Sequence, residues 1–395
     1  MTPPPPPPQA LAPTLPEELI EEIFLRLPPE EPAWLVRASL ANKFWLGLLT
    51  GPAFRGRYHE FHADPPMLGF FHSSSSDSGP PFVSTAKFGA AGFPHIDDRI
   101  SWHKCYDVWD CRHGRVLLCD KHMSPVLLVA WDPMTGRQRE LPLPEDYIDG
   151  YVAAVLCNVA GCNHQACHDS PSSVVLLAME LVNDGTVAHV HVSLPEVGEW
   201  SKPCFTLDLE TEDAFVVDKP PVYIHDALYF LLTYGFDDND NPDDIFVLKY
   251  DLGSHCLTLI DAPRVETNPA GGTILMSMED GALGCASLDG LTFYLWSRQM
   301  GSDGVPAWTL PRVVDLKNLL PIQNLKERVG LIGSVEGRDI IFVTTDLGIY
   351  EISLKSLRWK KIWKRDTFLT VMPYMSFYNQ VPICSFVCGL GTALK

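Results

Sequence analysis

The stretch IFVLKYDLGSHCLTLIDAP (residues 245–263) consists of two short apolar runs on either side of the polar segment DLGSH. Short apolar runs bounded by Gly, Asp or Pro are typical of β-strands joined by a turn, so this stretch predicts a β-hairpin. Four comparable stretches start elsewhere in the chain, at Val126, Val187, Leu291 and Gly348. The same hairpin is therefore predicted five times.

The five predicted hairpins recur at a nearly regular spacing. Their turns begin 46 to 61 residues apart, at Asp132, Ser193, Asp251, Ser297 and Ser353. Further apolar runs precede them, namely RVLLC from Arg115, SVVLLAM from Ser173, ALYFLLTY from Ala227, DGALGCASL from Asp280 and RDIIFVTT from Arg338. A strand-rich period of about 40 to 60 residues, with up to four strands in each unit, is the signature of a β-propeller.

A sixth unit is predicted from the two ends of this region. Met67–Phe71 and Phe82–Phe88 are apolar runs near its start, and Val371–Tyr378 is another near its end. Pairing between them would close the ring and remove open sheet edges. We therefore expect an all-β propeller of about six blades.

The region before this propeller carries a helical pattern. Apolar residues spaced one, three and four apart mark one face of a helix, at Leu19, Ile20, Ile23, Phe24 and Leu27. Pro28 and Pro29 end that helix, and a second apolar stretch runs from Pro32 to Leu49 before Gly51-Pro52. A short third piece is flanked by Phe54 and Phe61, so the pattern predicts a small all-α domain of about three helices.

Residues 15–61 resemble an F-box closely. The resemblance rests on about sixteen positions in order, which are Leu15, Pro16, Glu18, Leu19, Ile20, Ile23, Leu27, Pro28, Leu35, Val36, Arg37, Ala38, Ser39, Lys43, Trp45 and Phe54. The family often has Val-Cys before the lysine, where this chain has Leu40-Ala41-Asn42. The rest of the chain looks like the F-box-associated β-propeller of grass F-box proteins, through YDVWDCRHGRVLL, VLKYDLGSHCLTLID and VMPYMSFYNQ.

The resemblance implies three segments and a division of labour. Residues 1–14 would be a disordered Pro-rich tail, residues 15–61 the F-box domain, and residues 62–395 the propeller. The F-box would dock on a Skp-type adaptor, which links it to a cullin and a RING subunit, while the propeller would hold an unknown protein substrate for ubiquitination. The chain would then be a substrate adaptor of an SCF-type ligase, with no catalytic residue and no cofactor of its own.

The residues expected to contact the adaptor are Leu15, Pro16, Leu19, Ile20, Ile23, Leu27, Pro28, Leu35, Val36 and Trp45. A short helix pair cannot bury all of its apolar side chains within itself, so a surplus face must lie against the propeller or a partner helix. Leu15, Pro16, Leu19 and Ile23 are expected at that partner contact. Ile20, Leu35 and Leu48 are equally compatible with the internal core.

Composition sets limits on partners and compartment. The net charge is −19, which disfavours direct binding of nucleic acid. The 11 cysteines are odd in number and scattered, unlike a secreted disulfide framework. The chain shows neither a signal peptide pattern nor an apolar run long enough to span a membrane. These features together predict a protein of the cytoplasm or nucleus.

Two segments contain residues that could carry chemistry. Cys162, His164, Cys167 and His168 lie close together and include zinc-ligand types, but all four come from one short segment, which favours a polar loop over a metal site. CRHGR (residues 111–115) places Cys and His beside a glycine, and a tight turn between strands is the expected structure.

Two alternatives to the adaptor hypothesis stay open. The first is a propeller enzyme that uses the central channel with residues such as His103, His113 or His225, and it predicts titratable groups that converge at one mouth of the channel. The second is a scaffold that works outside any ligase. Substrate recognition is expected in loops of the propeller, around Asn158–Ser172, Asp237–Asp243 and Gln299–Val305.

Overall fold

The structure is a computed structural model that describes residues 15–74, 82–84, 106–120, 125–144, 150–159, 162, 171–182, 185–193, 199–201, 205–209, 214–236, 242–263, 272–302, 304–366 and 368–378. The chain divides into two compact units. One, the helical unit, contains residues up to Pro66 together with Phe377 and Tyr378, and the other, the propeller, is Met67–Ser376. The predicted Pro-rich tail, residues 1–14, lies outside the described residues.

Four helices build the helical unit: α1 (Glu17–Leu25), α2 (Ala33–Ala41), α3 (Lys43–Thr50) and α4 (Pro52–His62). The prediction of about three helices was one short, because the apolar pattern continues on both sides of Asn42. Asn42 has extended backbone, and its side chain accepts a hydrogen bond from the Phe44 amide at 2.8 Å. It therefore serves as the N-cap that starts α3 and separates it from α2.

A single hydrophobic cluster holds the four helices together. Its buried members are Phe24, Leu25, Leu35, Leu49, Phe54, Tyr58 and Phe377. Phe377 follows the last strand of the chain, and its ring stacks on His59 with centroids 4.3 Å apart. The sequence assigned this residue to the propeller domain, whereas the structure places its side chain in the helical core.

The propeller consists of six antiparallel sheets, as the repeat predicted. Blade 1 contains β3 (Tyr106–Arg112), β4 (Arg115–Asp120), β5 (Leu127–Trp131) and β6 (Gln138–Pro142). Blade 2 contains β7 (Tyr151–Cys157), β8 (Ser172–Val182), β9 (Gly185–Val192) and β10 (Phe205–Asp208). Blade 3 contains β11 (Ala214–Val216), β12 (Val222–Ile224), β13 (Ala227–Phe236), β14 (Pro242–Asp251) and β15 (Cys256–Asp261). In blade 3, β11 and β12 both pair with β13, one after the other along its length.

The remaining blades include the one that closes the ring. Blade 4 contains β16 (Thr273–Ser277), β17 (Leu283–Asp289), β18 (Thr292–Met300) and β19 (Pro306–Asp315), and the short helix α5 (Leu316–Leu319) follows it. Blade 5 contains β20 (Gly330–Ser334), β21 (Ile340–Thr345), β22 (Gly348–Ser353) and β23 (Trp359–Lys364). Blade 6 pairs β24 (Phe368–Met375) from the end of the propeller with β1 (Met67–Ser74) and β2 (Phe82–Ser84) from its start. The predicted closure by the two ends is thereby confirmed for the described residues, and Phe82–Phe88 is described only as far as Ser84.

Hydrophobic side chains between blades complete the ring. Separate buried clusters join blades 1 and 2, 2 and 3, 3 and 4, 4 and 5, and 5 and 6. Between blades 6 and 1, the ring of Phe71 lies 6.2 Å from that of Trp131, and the Tyr374 hydroxyl donates to the Gly114 carbonyl at 3.3 Å. The second strand of a blade lies between neighbouring blades, so β4 is buried along its whole length, whereas the outer strand β23 is mostly exposed.

Two tryptophans link neighbouring blades in the same way. The Trp200 indole N–H donates to the Pro142 carbonyl at 2.7 Å, which joins blade 2 to blade 1. The Trp308 indole N–H donates to the Asp261 carbonyl at 2.7 Å, which joins blade 4 to blade 3. Each of these two tryptophans thus attaches its blade to the preceding one.

Candidate functional site

Helix α1 has two apolar faces, and one of them belongs to the core of the helical unit. Ile20, Phe24 and Leu27 pack into the cluster of the four helices, and the Phe24 ring meets the Trp45 ring edge-on with centroids 5.3 Å apart. Ile20 and Phe24 are four residues apart and so lie on one side of the helix, and Leu27 follows just after its end. This face accounts for the attachment of α1 to the rest of the unit.

The second apolar face of α1 is exposed. Leu19 and Ile23, one helical turn apart, each keep 51% of their surface exposed, and Leu15 just before the helix keeps 57%. Pro16, the N-cap residue, is also exposed. These four residues, which we call the α1 outer face, are those for which the sequence predicted partner contact.

The other predicted docking residues lie elsewhere. Leu35 and Val36 each keep only 3% of their surface exposed. Ile20, Leu27 and Trp45 are half-buried members of the cluster, and Pro28 is exposed after the end of α1. A surface for a partner can therefore be built from the α1 outer face and Pro28, with Leu35 and Val36 acting as internal support.

Helix α4 fixes the position of α1. The Tyr58 hydroxyl donates to the Leu27 carbonyl at 2.8 Å, and the His62 ring lies 2.8 Å from the Leu25 carbonyl. The Arg57 guanidinium forms ion pairs with Glu21 at 2.8 Å and with Glu22 at 2.9 Å. Because carbonyls at the end of a helix have no partner within that helix, the contacts from Tyr58 and His62 hold α1 in place at its weakest end.

Four further exposed apolar side chains in the helical unit were not singled out from the sequence as contact residues. They are Trp34 (47% exposed), Leu40 (51%), Phe44 (46%) and Phe61 (53%). The Arg37 guanidinium lies over the Trp34 ring at 5.4 Å, and that of Arg26 lies 5.9 Å from the Phe61 ring. Exposed aromatic residues beside arginine are common in protein interfaces, so the apolar surface of the unit extends beyond α1.

A second cluster of functional groups lies where the inner strands of the propeller meet. Asp110 and Arg112 on β3 form a buried ion pair, with Arg112 Nε 2.8 Å from Asp110 Oδ2. The Asp110 carboxylate also accepts the Val155 amide of blade 2 at 2.8 Å. Arg112 Nη2 donates to the Pro221 carbonyl of blade 3, and Nη1 lies 3.8 Å from Glu336 Oε1 of blade 5. One ion pair thus connects four blades.

A lysine crosses the same region. Lys219 Nζ, from the segment between β11 and β12, donates to the Leu369 carbonyl of blade 6 at 2.8 Å. Burial lowers the pKa of the Lys219 ammonium. Since blades 3 and 6 lie opposite each other in a ring of six, this hydrogen bond links opposite sides of the ring.

The titratable groups of this cluster are shifted mainly by burial. Burial raises the pKa of the Asp110 carboxyl against the lowering effect of Arg112, and it also raises the pKa of Glu336 and of the Cys111 thiol. Burial and the Asp226 carboxylate, which accepts from the Tyr223 hydroxyl at 2.8 Å, raise the pKa of Tyr223 to about 12. A protonated Cys111 thiol is a poor nucleophile.

The histidines named for the enzyme hypothesis occupy turns. His113 (φ 52°) lies in the β3–β4 turn, as expected for CRHGR, and His225 (φ 45°) lies in the β12–β13 turn. The His113 ring meets the Tyr223 ring edge-on with centroids 6.0 Å apart, so side chains of blades 1 and 3 are in contact here. Asp110 and Arg112 form an ion pair with each other and hydrogen bonds to backbone groups. His103 lies outside the described residues.

The candidate metal segment is described only at Cys162, while His164, Cys167 and His168 lie outside the described residues. Among the residues that the structure does describe, no three His, Cys, Asp or Glu side chains lie close enough together to hold a metal ion. None of the described helices is long and apolar enough to span a membrane. Of the candidate recognition loops, Gln299–Val305 joins β18 to β19 and exposes Met300 (70%) and Val305 (58%).

The sequence is similar to one curated protein over part of its length. No protein-family model matches the chain. An F-box protein of Arabidopsis thaliana is 28% identical over 143 residues, which are 32% of this chain and 32% of that protein. The chain thus matches about a third of the length of this relative. The match supports a relationship to plant F-box proteins.

Solved structures with a similar arrangement are distant. TolB from Acinetobacter baumannii has a TM-score of 0.40 at 10% identity, covering 80% of this chain and 68% of its own. The Aleuria aurantia lectin has a TM-score of 0.38 at 13% identity, covering 69% and 79%. The WD40 domain of SCAP from fission yeast has a TM-score of 0.35 at 14% identity, covering 69% and 57%. Because these TM-scores are too low to support a conclusion about the fold, the propeller assignment rests on the six sheets and their order.

Proposed function

We propose that this chain is the substrate-recognition subunit of an SCF-type ubiquitin ligase. The helical unit docks on a Skp-type adaptor, through which it joins a cullin and a RING subunit, and the propeller, of the type that accompanies grass F-boxes, holds a protein substrate. The chain itself catalyses no step. Its expected compartment is the cytoplasm or nucleus, and the described cysteines, which are free thiols, are compatible with a reducing environment.

The observation that carries the proposal is the second apolar face of α1. A surface helix of a soluble domain normally has one apolar stripe, which faces its own core. Helix α1 has that stripe in Ile20, Phe24 and Leu27, and it exposes Leu15, Leu19 and Ile23 in addition. These exposed residues stand at the positions where the F-box pattern has its leading leucine and isoleucine. A partner that covers them explains why the sequence keeps them apolar.

Burial of this face would supply a substantial part of the energy that specific docking needs. Complete burial of a leucine or isoleucine side chain contributes about 1.5–3 kcal/mol, so covering three that are half exposed contributes roughly 2–4 kcal/mol. Residues of this kind at the centre of an interface commonly dominate its affinity. The exposed Trp34 and Phe44 would add to the same contact if the partner extends over α2 and α3.

A pull-down with a purified Skp-type adaptor tests the proposal. The wild-type chain should be retained, whereas Leu19→Ala with Ile23→Ala should weaken binding by about 2 kcal/mol, or roughly thirtyfold in Kd. Leu310→Ala with Leu369→Ala is the matched control, because both leucines lie on the propeller and are similarly exposed, at 47% and 58%. The control variant should bind as well as wild type.

Two results would contradict the proposal. One is failure of the folded wild-type chain to bind any Skp-type adaptor. The other is equal retention of the α1 variant and the control variant. Far-ultraviolet circular dichroism of each protein shows whether the helices are intact, so that loss of binding is not confused with loss of folding.

A further inference from the structure

The outer strand of blade 5 carries a concentration of positive charge in an acidic protein. Residues 355–365, which read KSLRWKKIWKR, form the turn before β23, the strand itself and the residue after it. This segment, which we call the β23 edge, contains six of the chain's 30 basic residues, namely Lys355, Arg358, Lys360, Lys361, Lys364 and Arg365. It contains no acidic residue, although the whole chain has a net charge of −19.

Some of these cations have partners among the described residues, and two have no such partner there. Lys355 pairs with Glu279 at 2.7 Å, and Arg365 pairs with Glu327 at 2.7 Å. Among the contacts of the described residues, the exposed side chains of Arg358 and Lys360 form neither an ion pair nor a hydrogen bond. Within the part of the chain that the structure describes, the strand therefore presents positive charge that no acidic side chain neutralises.

Protection of a sheet edge does not account for this charge by itself. Lysines on an outer strand do discourage unwanted pairing with other strands. The other outer strands nevertheless contain few basic residues, since β6 and β19 have one each, Arg139 and Arg312, and β2, β10 and β15 have none. Strand β23 alone contains three, in Lys360, Lys361 and Lys364. The charge is specific to blade 5.

Apolar surface lies among the cations. Leu357 keeps 40% of its surface exposed and Trp359 keeps 43%. The Trp359 ring meets the Tyr350 ring edge-on with centroids 5.4 Å apart, which fixes its orientation on the blade. An exposed tryptophan surrounded by cations is a combination that anchors a peptide while the charges select its sequence.

We propose that the β23 edge binds an extended acidic segment of a partner protein. Strand β23 pairs with β22 on one side, and among the described strands none pairs with its other side, so its outward amide and carbonyl groups are available to an added strand. Carboxylates on alternate residues of that strand would lie opposite Arg358 and Lys360, which are two residues apart and share one face of β23, a pairing that stabilises neighbouring strands. An ordinary apolar strand is rejected, because it would desolvate the lysines without neutralising them.

A protein segment fits this surface better than a nucleic acid. Six residues of strand span about 20 Å, which matches a short peptide. A nucleic acid continues beyond such a patch as a uniform line of negative charge, and it would meet the acidic remainder of the chain. The identification of this partner segment with a ubiquitination substrate rests on the function proposed above, whereas the binding itself does not.

Fluorescence anisotropy with a labelled acidic peptide tests this assignment on the full-length protein. The probe is a peptide of about ten residues composed of Glu, Asp and Val, and its counterpart replaces the acids with Gln and Asn. The acidic peptide should bind and the neutral one should not, and binding should weaken as salt screens the charges. Arg358→Glu with Lys360→Glu should raise Kd for the acidic peptide about five- to thirtyfold.

The matched control is Lys317→Glu with Lys326→Glu. Both lysines are exposed and lie outside the β23 edge, and the change in net charge is the same. This variant should keep Kd within about twofold of wild type.

Absence of binding by wild type, equal loss in both variants, or tighter binding of a single-stranded oligonucleotide of the same charge would each overturn the proposal. The adaptor pull-down is run on the same variants, and unchanged adaptor binding shows that the two proposals stand or fall separately.

Discussion

Replacement of Asp110 by asparagine should destabilise the propeller far more than most single substitutions. The Asp110 carboxylate is almost fully buried and neutralises Arg112, while it accepts the backbone amides of Val155 and Cys111 at 2.8 and 2.9 Å. Asparagine has nearly the same shape, but its single side-chain oxygen can accept from only one of the two amides, because they bind different carboxylate oxygens. It also lacks the charge, which leaves Arg112 buried beside a neutral group.

The size of the effect follows from this uncompensated charge. Removing one partner of a buried ion pair typically costs 3–5 kcal/mol. Arg112 keeps its bond to the Pro221 carbonyl, and the partly exposed Glu336 carboxylate lies 3.8 Å from Nη1, so some compensation remains. We therefore expect Asp110→Asn to lower the free energy of unfolding by about 3 kcal/mol, the lower end of that range.

The assay is urea denaturation followed by tryptophan fluorescence, in a double-mutant cycle. Arg112→Met alone should cost a similar amount, because it leaves the carboxylate buried. The double variant Asp110→Asn with Arg112→Met removes both charges and should be more stable than either single variant, with a coupling energy of at least about 2 kcal/mol. Additive costs, or a loss of less than about 1 kcal/mol for Asp110→Asn, would refute the idea that this pair organises the centre of the propeller.

Three further predictions concern single side chains. Trp200→Phe keeps an aromatic ring but loses the hydrogen bond to the Pro142 carbonyl. The midpoint of urea denaturation should therefore fall by the equivalent of about 0.5–1.5 kcal/mol. An unchanged midpoint would contradict the inter-blade role of that bond. Phe377→Ala removes a fully buried ring from the helical core and should cost that unit about 3–5 kcal/mol, seen as faster amide hydrogen exchange in the four helices with little change in the propeller. Burial lowers the pKa of His72 from 6.5 to about 4, so the folded chain binds fewer protons than the unfolded chain, and stability should fall as the pH drops from about 6.5 towards 4. His72→Phe, which retains stacking on Phe368, should reduce this loss when urea midpoints at pH 7 and pH 5 are compared, and an equal loss would assign it to other groups.

The features predicted correctly from sequence depend on local patterns. Each hairpin is a contiguous segment whose apolar runs and turn residues are read directly, so the repeat predicted the blades, and the apolar ends of the region predicted blade 6. The exposure of Leu15, Leu19 and Ile23 agrees with the surplus of apolar residues on a helix too short to bury them all. The N-cap role of Asn42 was not predicted, because an N-cap inside a continuous apolar stretch does not change the spacing of the apolar residues.

The residues that sequence reasoning missed depend on contacts between distant segments. Arg112, Pro221 and Glu336 belong to three different blades, and nothing in their local sequence indicates that closure of the ring brings them together. Phe377 joins the helical core from the far end of the chain for the same reason. The basic run on β23 is visible in the sequence, but its position on an outer strand and the exposure of Arg358 and Lys360 come only from the fold.

Sequence patterns were enough to predict the repeating unit of this protein, its approximate number of blades and the apolar excess at its N-terminal helices, because periodicity, turn residues and composition act within a few residues of each other. Only the folded structure shows which side chains meet at the centre of the ring, which apolar residues of the helical unit remain exposed, and which strand presents its cations outward. Those properties depend on contacts between segments that are far apart in sequence. Such contacts form only when the chain has folded, and they determine which side chains are buried and which polar groups are paired.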